Sequence, residues 1–443
     1  MTLSATTRRI SGTFLTNILL YALAAATGPL IARLLGPDGR GALAAIQLWP
    51  GAIATFAMLG LPDSLVFFAA RYPDRADRWL TTAVLIGLAT SLVGVCVGYV
   101  LINIGLRGDN ERLIHPAHVY LLFIPLSALV GLPCQFVRGL GRFGLWNVLR
   151  VMPAAGWLIA LLAATILGNR SPDALSASYL SFIVFEAFVI IVVWLTTSER
   201  PKTVTRGDAA ALLRYGIPSG LSAVPQVLNL RLDQMLIAAI LPSRDLGLYV
   251  VAVSWSAISG IALNAAGPIV SQRLAAERNT AVARRMFGQV TRSSVIVSAI
   301  MAAGFASLTP YAIRILYGAA FQEAIPIAIV LSAANAFVMV NTVLEEGLRG
   351  LDDTPTILRC ELVGLVVTAV ALAVLLSPLG ILGAAVASVA GYSAVTIALG
   401  LSLRRHEMTF GTAFWPRGED LRYVIAVVTA SWNQVRGLGA RAV

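Results

Sequence analysis

Twelve stretches of twenty or more mostly apolar residues recur along the chain, roughly at 11 to 32, 42 to 70, 79 to 105, 117 to 137, 146 to 168, 174 to 197, 212 to 241, 246 to 270, 292 to 316, 323 to 347, 357 to 377 and 380 to 402. Each is long enough to cross a hydrocarbon core of about 30 Å as a helix. In lipid the backbone satisfies its own hydrogen bonds, and an uninterrupted segment does so only as a helix. The pattern predicts an all-α, polytopic membrane protein with about twelve transmembrane helices. Composition agrees: 58% of the 443 residues are apolar and 12% charged, with a mean hydropathy of +0.80, values that soluble domains rarely reach.

The net charge of +11 does not point to nucleic acid, because the arginines sit in short connections between spans rather than on one folded face. With the N-terminus inside, the cytoplasmic segments hold Arg8, Arg9, Arg71, Arg75, Arg78, Arg138, Arg142, Arg150 and most later arginines. The opposite side keeps Arg33, Arg40, Arg107, Arg112, Arg170, Arg244 and Arg314. That asymmetry points to both termini lying in the cytoplasm. No small-residue cleavage site follows Arg8 and Arg9 before Arg33, so a retained first helix is expected rather than a signal peptide. Cys96, Cys134 and Cys360 fall in or beside spans and give neither a disulfide framework nor a metal-ligand spacing.

Two segments repeat. LLGPDGRGALAAIQLW begins at 34 and ILPSRDLGLYVVAVSW at 240, an offset of 206 residues; FVRGLGR at 136 and GLRGLDD at 347 lie 211 apart. An even number of spans per repeat makes the halves parallel, related by an axis along the membrane normal. The expected organisation is a six-helix lobe at 1–198, a cytoplasmic linker at 199–211, a second six-helix lobe at 212–402 and a cytoplasmic tail at 403–443. In the tail, Leu421, Val424, Ile425, Val428, Trp432 and Val435 recur at three and four, as in a helix lying in the membrane interface.

Catalytic machinery is missing. The only lysine, Lys202, lacks the glycines of a phosphate-binding loop, and neither G-x-S-x-G nor His-Glu-x-x-His occurs. His115 and His118 stand three apart with no third ligand in their loop, so no metal site is expected. The outer connections are too short for a catalytic domain. The protein is read as a non-enzyme without cofactors, driven by an ion gradient, H+ or Na+, or by its cargo's own gradient.

The seventh span places charges where lipid would be. Thirty residues from Leu212 to Leu241 make ~45 Å of helix, too long for a straight crossing, and Pro218 and Pro225 are expected to bend it. Arg231 lies ten residues before the outer end, ~15 Å deep and near the midplane, where an arginine costs at least ~2.5 to 3.5 kcal/mol and so faces protein or water. Asp233, two residues on, points about 200° away around the helix. It continues the stripe of Ser219, Ser222, Gln226 and Asn229, whereas Arg231 leaves on the other side beside Gln234. One reading gives the helix a central aqueous cleft on one face and a cavity on the other; in the alternative, both charges pair with neighbouring helices to hold the bundle together.

Other intramembrane polar groups join the candidates. Ser332, Asn335, Thr342 and Glu346 share a face of the tenth span, with Glu345 beside it. Glu186 stands alone in the sixth span, as a proton-coupling group or a hydrogen-bonded packing residue. Asp63 follows Pro62, either as a coupling group or as the cap of a broken helix. Arg138, Arg142 and Arg150 after the fourth span mirror Arg349 and Arg359 after the tenth, suited to phosphate at the cytoplasmic mouth or present for topology alone.

ARLLGPDGRGALAAI, RGLGRFGLWNVLR, YGIPSGLSAVPQVLNLRLDQMLIAAILPSRDLGLYVVAVS and GLRGLDDTPTILRCEL resemble the polysaccharide-biosynthesis membrane proteins, the O-antigen-type (Wzx-like) flippases of the multidrug/oligosaccharidyl-lipid/polysaccharide (MOP) exporter superfamily. The resemblance runs from about 10 to 402. It implies two six-helix, MATE-like lobes rocking about a central cavity, and a cargo of undecaprenyl-pyrophosphate-linked oligosaccharide moved from the inner to the outer leaflet. Lipid II flippases of this superfamily carry several arginines in their first two spans, whereas here the first has none between Ser11 and Ile31.

On this reading Arg231, Gln234, Asn229, Gln226, Asn335, Arg150 and Arg359 bind cargo, and Asp233, Glu186, Asp63 and Glu346 are the candidates for ion coupling. Partners would be the lipid-linked oligosaccharide, membrane lipids, and a polysaccharide polymerase or other assembly proteins. A multidrug or small-cation exporter of the same fold is the alternative, and it would need a carboxylate-lined, arginine-poor cavity. A membrane glycosyltransferase or polymerase would need a sizeable outer loop, which is absent.

Overall fold

The computed structural model describes residues 3–106, 108–197, 204–260, 271, 273–274, 276–277, 279–415, 417–422 and 429. Every regular element among them is helical. The order is α1 (Leu3–Ala57), α2 (Leu61–Arg71), α3 (Ala76–Gly105), α4 (Ile114–Tyr120), α5 (Phe123–Gly139), α6 (Phe143–Ile166), α7 (Pro172–Thr197), α8 (Arg206–Asn229), α9 (Leu232–Ile240), α10 (Ser243–Ala257), α11 (Thr280–Ala312), α12 (Ala324–Gly350), α13 (Thr354–Ser402) and α14 (Phe410–Phe414). The interfacial helix expected over Glu419 to Val435 lies largely outside the described residues.

Among the described residues seven helices are long and apolar enough to cross a membrane, and an eighth when Asn110–Tyr120 and Phe123–Gly139, bent by 43°, count as one. Two of the seven, Leu15–Ala57 and Thr354–His406, run to 43 and 53 residues and hold two predicted spans each. A glycine divides each pair: Gly36 at φ 68° and Gly380 at φ 55°, a left-handed conformation that costs glycine little and other residues more. The protein is a polytopic, all-α membrane protein.

The chain forms two compact units, Met1–Val251 with Leu316–Phe321, and Ala252–Ile315 with Gln322–Val443. In the first unit α8 to α10 are held to α1 and α2 by glycines that let backbones touch. A Cβ on Gly41 would stand 1.6 Å from the Ser243 carbonyl oxygen, and one on Gly247 would stand 2.0 Å from the Pro37 carbonyl oxygen. These are equivalent positions of the repeat, since 41 and 247, like 37 and 243, differ by 206. The two copies of the turn therefore meet symmetrically. At a second contact a Cβ on Gly60 would come within 2.0 Å of the Gly216 carbonyl oxygen.

The second unit packs α11, α12 and α13 around Phe287, Leu344, Leu348, Leu399 and Leu403. Two of its buried polar side chains form a chain: Thr396 donates to Asn341 Oδ1 at 2.6 Å, and Asn341 donates to the Tyr392 carbonyl at 3.1 Å. The α14 segment and Asp420 close onto α11, where the Arg292 guanidinium donates to both Asp420 carboxylate oxygens at 2.7 and 3.1 Å.

Candidate functional site: an arginine-lined cavity

The first unit encloses a cavity of ≈ 810 Å³. Its wall follows helical spacing. Arg40, Ala44, Gln47, Gly51 and Thr55 face it from α1, Met58 from the turn that follows, Pro62 from α2, and Phe123, Ser127, Gly131 and Gln135, every fourth residue, from α5. Val227, Leu230, Arg231 and Gln234 complete it from α8 and α9, with Val250 from α10. Glycine and alanine at the wall make the room, and the long polar side chains fill it.

Arg231 reaches the cavity because the seventh span breaks at that residue. The sequence predicts bends at Pro218 and Pro225, but α8 continues through both, and the interruption falls at Leu230–Arg231, between α8 and α9. There the helical ladder shortens: the Arg231 N–H bonds the Leu228 carbonyl, three residues back, at 3.0 Å. Arg231 becomes the N-cap of α9, at φ −127°. The partial positive charge of a helix N-terminus thus adds to the guanidinium. The far end of α9 is pinned by Asn110, whose amide donates to the Ala238 and Leu241 carbonyls at 2.9 and 3.0 Å.

Asp233 is turned the other way. It is buried, accepts from the Tyr249 hydroxyl at 2.6 Å and from the Gln234 backbone N–H at 2.7 Å, and is not part of the wall. The opposed faces of Arg231 and Asp233 expected from the sequence are realised. The wall therefore holds two guanidinium groups, Arg40 and Arg231, and three carboxamides, Gln47, Gln135 and Gln234, with no carboxylate among the described residues. Neither arginine forms an ion pair among the described residues, and the buried Arg40 Nε has no hydrogen-bond partner. Sequence reasoning placed Arg40 in an outer connection and passed over Gln47 and Gln135, which carry no signal beyond being polar in apolar helices.

The other candidates lie elsewhere. Asn229 is buried and Gln226 half-buried, neither on the wall. Arg150 donates to Asn17 Oδ1 at 2.9 Å and stacks over Trp146 at 4.4 Å, with Arg138 over the same ring at 5.4 Å. Asn335 belongs to the second unit and donates to the Ser256 carbonyl and Ser259 Oγ at 3.1 and 2.6 Å. Arg359 is exposed.

Of the coupling candidates, Asp63 sits in the first turn of α2, after the break at Gly60, and accepts from the Ser219 hydroxyl at 2.6 Å. Glu346 is paired with Arg349. Glu186 alone is fully buried with neither carboxylate oxygen hydrogen-bonded. Outside the spans, Arg78 and Thr205 grip Asp208 at the start of α8, the Arg78 Nη2 reaching Thr205 Oγ1 at 2.5 Å. Burial raises the Asp208 carboxyl, but the Thr205 and Arg78 hydrogen bonds outweigh it and hold it below the usual carboxylate range.

Residues 7–271, more than half of the chain, match the profile of the polysaccharide biosynthesis proteins. The chain belongs to that family. No curated protein matches it. Among solved structures, this polysaccharide biosynthesis protein is similar to an inward-facing multidrug-resistance MATE-family transporter of the MOP superfamily, with 15% identity, TM-score 0.72 and 88% of this chain against 94% of that one. It is also similar to the lipid II flippase MurJ in an inward closed conformation, with 15% identity, TM-score 0.73 and 90% against 87%. A MOP-superfamily transporter from Pyrococcus furiosus, described as having a binding pocket of reverse polarity, covers 91% of this chain with 95% of its own at 14% identity and a TM-score of 0.58. These likenesses establish a MOP-type fold for a member of the polysaccharide biosynthesis family.

Proposed function

We propose that the protein is a flippase for polyprenyl-pyrophosphate-linked oligosaccharides, in particular undecaprenyl-linked repeat units of O-antigen, lipopolysaccharide or exopolysaccharide. It would carry them from the inner to the outer leaflet of a bacterial inner membrane, with both termini in the cytoplasm. The observation that carries this reading is the cavity wall, with its two guanidinium groups, three carboxamides and no carboxylate among the described residues. Guanidinium donors match phosphate oxygens in geometry and charge, and carboxamides both donate to and accept from sugar hydroxyls. Arg231, at the broken helix, is the group that holds the pyrophosphate. An exporter of cationic drugs would find repulsion on such a wall.

The moving parts, on this reading, are the repeat halves 1–198 and 212–402, joined by the 199–211 linker. Among the coupling candidates, Asp63, Asp233 and Glu346 each have a bonded partner, respectively the Ser219 hydroxyl, the Tyr249 hydroxyl and the Arg349 guanidinium. Glu186 is the group we assign to proton coupling, because an ionised carboxylate there has no bonded partner among the described residues.

Arg231→Ala is expected to abolish flipping, at least a hundredfold in reconstituted vesicles, while the protein still inserts; the loss of a charge-assisted contact of ~3 kcal/mol sets that scale. Normal surface polysaccharide in this mutant would remove Arg231 from the mechanism. Glu186→Gln is expected to flatten the pH dependence of transport, and an unchanged profile would return Glu186 to a packing role.

A further inference from the structure

The two cavity arginines stand at different depths. Gly41, next to Arg40, is pressed against the Ser243 carbonyl at the turn between α9 and α10, so Arg40 lies at the level of that turn. Arg231 lies ten residues before Leu241, where α9 gives way to extended backbone. At about 1.5 Å per residue the two Cα positions are therefore on the order of 15 Å apart along the helix. That interval is the scale of a short oligosaccharide. Gln234, on the wall one turn outward from Arg231, and Gln47, two turns from Arg40 along α1, fall in the interval.

We infer that Arg40 forms a second anion-binding subsite, which takes an acidic group carried by the glycan itself, a carboxylate of the uronic-acid type, while Arg231 takes the pyrophosphate. This rests on the flippase reading and adds to it the chemistry of the cargo's far end. A cargo whose only anion is the pyrophosphate gathers its charges at one end and brings none to the depth of the other arginine, whereas a cargo with an acid a few sugar rings away places a charge at each depth. The local environment of Arg40 fits the role. Among the described residues its Nε is buried without a hydrogen-bond partner, and the wall offers it no carboxylate.

The test compares two lipid-linked trisaccharides, identical except that the sugar furthest from the pyrophosphate is glucuronate in one and glucose in the other, binding to the full chain in nanodiscs. Wild type is expected to bind the acidic probe about tenfold tighter, the scale of one charge-assisted hydrogen bond. Arg40→Gln should weaken the acidic probe about tenfold more than the neutral one, removing the preference between them. Arg40→Lys should restore part of the preference, and this rescue separates a charge effect from a packing defect. Arg231→Gln should weaken both probes equally. Equal weakening of both probes by Arg40→Gln would mean that Arg40 grips the pyrophosphate, and would overturn the subsite. Equal binding of the two probes by wild type would overturn it too, while leaving the flippase reading intact. Failure of wild type to bind either probe would sink that reading and the subsite with it.

Discussion

The cavity of the first unit and the buried arginine contact of the second treat charge in opposite ways. In the first, Arg40 and Arg231 line a cavity whose wall holds no carboxylate among the described residues. In the second, Arg292 is sealed against Asp420, with side-chain exposures of 11% and 1%. Arg349 there pairs with Glu346 and lies 3.5 Å from Glu345. Glu345 is also buried. A buried ion pair mostly offsets its own desolvation and fixes geometry. A cation kept without a counter-ion inside a membrane protein adds no such structural benefit, and its presence points to a ligand that supplies the missing charge.

Breaking the sealed pair should have the largest effect on structure and little on transport. Asp420→Asn leaves Arg292 buried and uncompensated, a cost of ~3–5 kcal/mol, and hydrogen exchange over 409–422 should rise steeply while flipping by reconstituted protein stays within about twofold of wild type. A comparable loss of flipping would show that the second unit's pair serves transport as well as architecture.

The converse experiment makes the cavity resemble the second unit. Gln234→Glu places a carboxylate one turn from Arg231, so the arginine gains an internal partner; binding of a pyrophosphate-linked probe should fall by about a hundredfold, a ~3 kcal/mol loss. An unaltered affinity would mean that the wall's charge does not select the cargo.

The smallest effect is expected from acid. Because Asp208 is held below the usual carboxylate range, its grip on Arg78 is fully present above the unfolded value of about 4 and is lost only as pH falls through the lower, folded value. Protection of the amides that follow Thr205 should be flat from neutral pH to about 5 and should weaken in stronger acid. Asp208→Asn should remove that acid-dependent step. A transition near neutral pH would assign control of this helix start to another group.

Particular residues show how far the sequence reaches. The turns at Gly36 and Gly380 were legible because glycine interrupts an apolar run there, and the repeat at 34 and 240 already paired Gly41 with Gly247. The opposed faces of Arg231 and Asp233 followed from their spacing alone. The break at Leu230–Arg231 was not legible: the prolines advertise a bend a turn or more earlier, while the observed interruption carries neither glycine nor proline. Arg40 read as a loop arginine because it follows a Gly-Pro-Asp-Gly turn, although the helix has already restarted by that point.

The sequence by itself determined the solvent, the helical class and, within each helix, which residues share a face, because all of these depend on local composition and on the 3.6-residue period. Only the tertiary structure decided which of those faces meet a cavity and which meet a partner. Asn335 and Arg150 found partners, Glu186 did not, and Arg40 came to share a wall with Arg231 from nearly two hundred positions away. Periodicity fixes an angle around one axis; the neighbour at that angle is set by long-range packing, here by glycine contacts that bring α8 to α10 against α1 and α2.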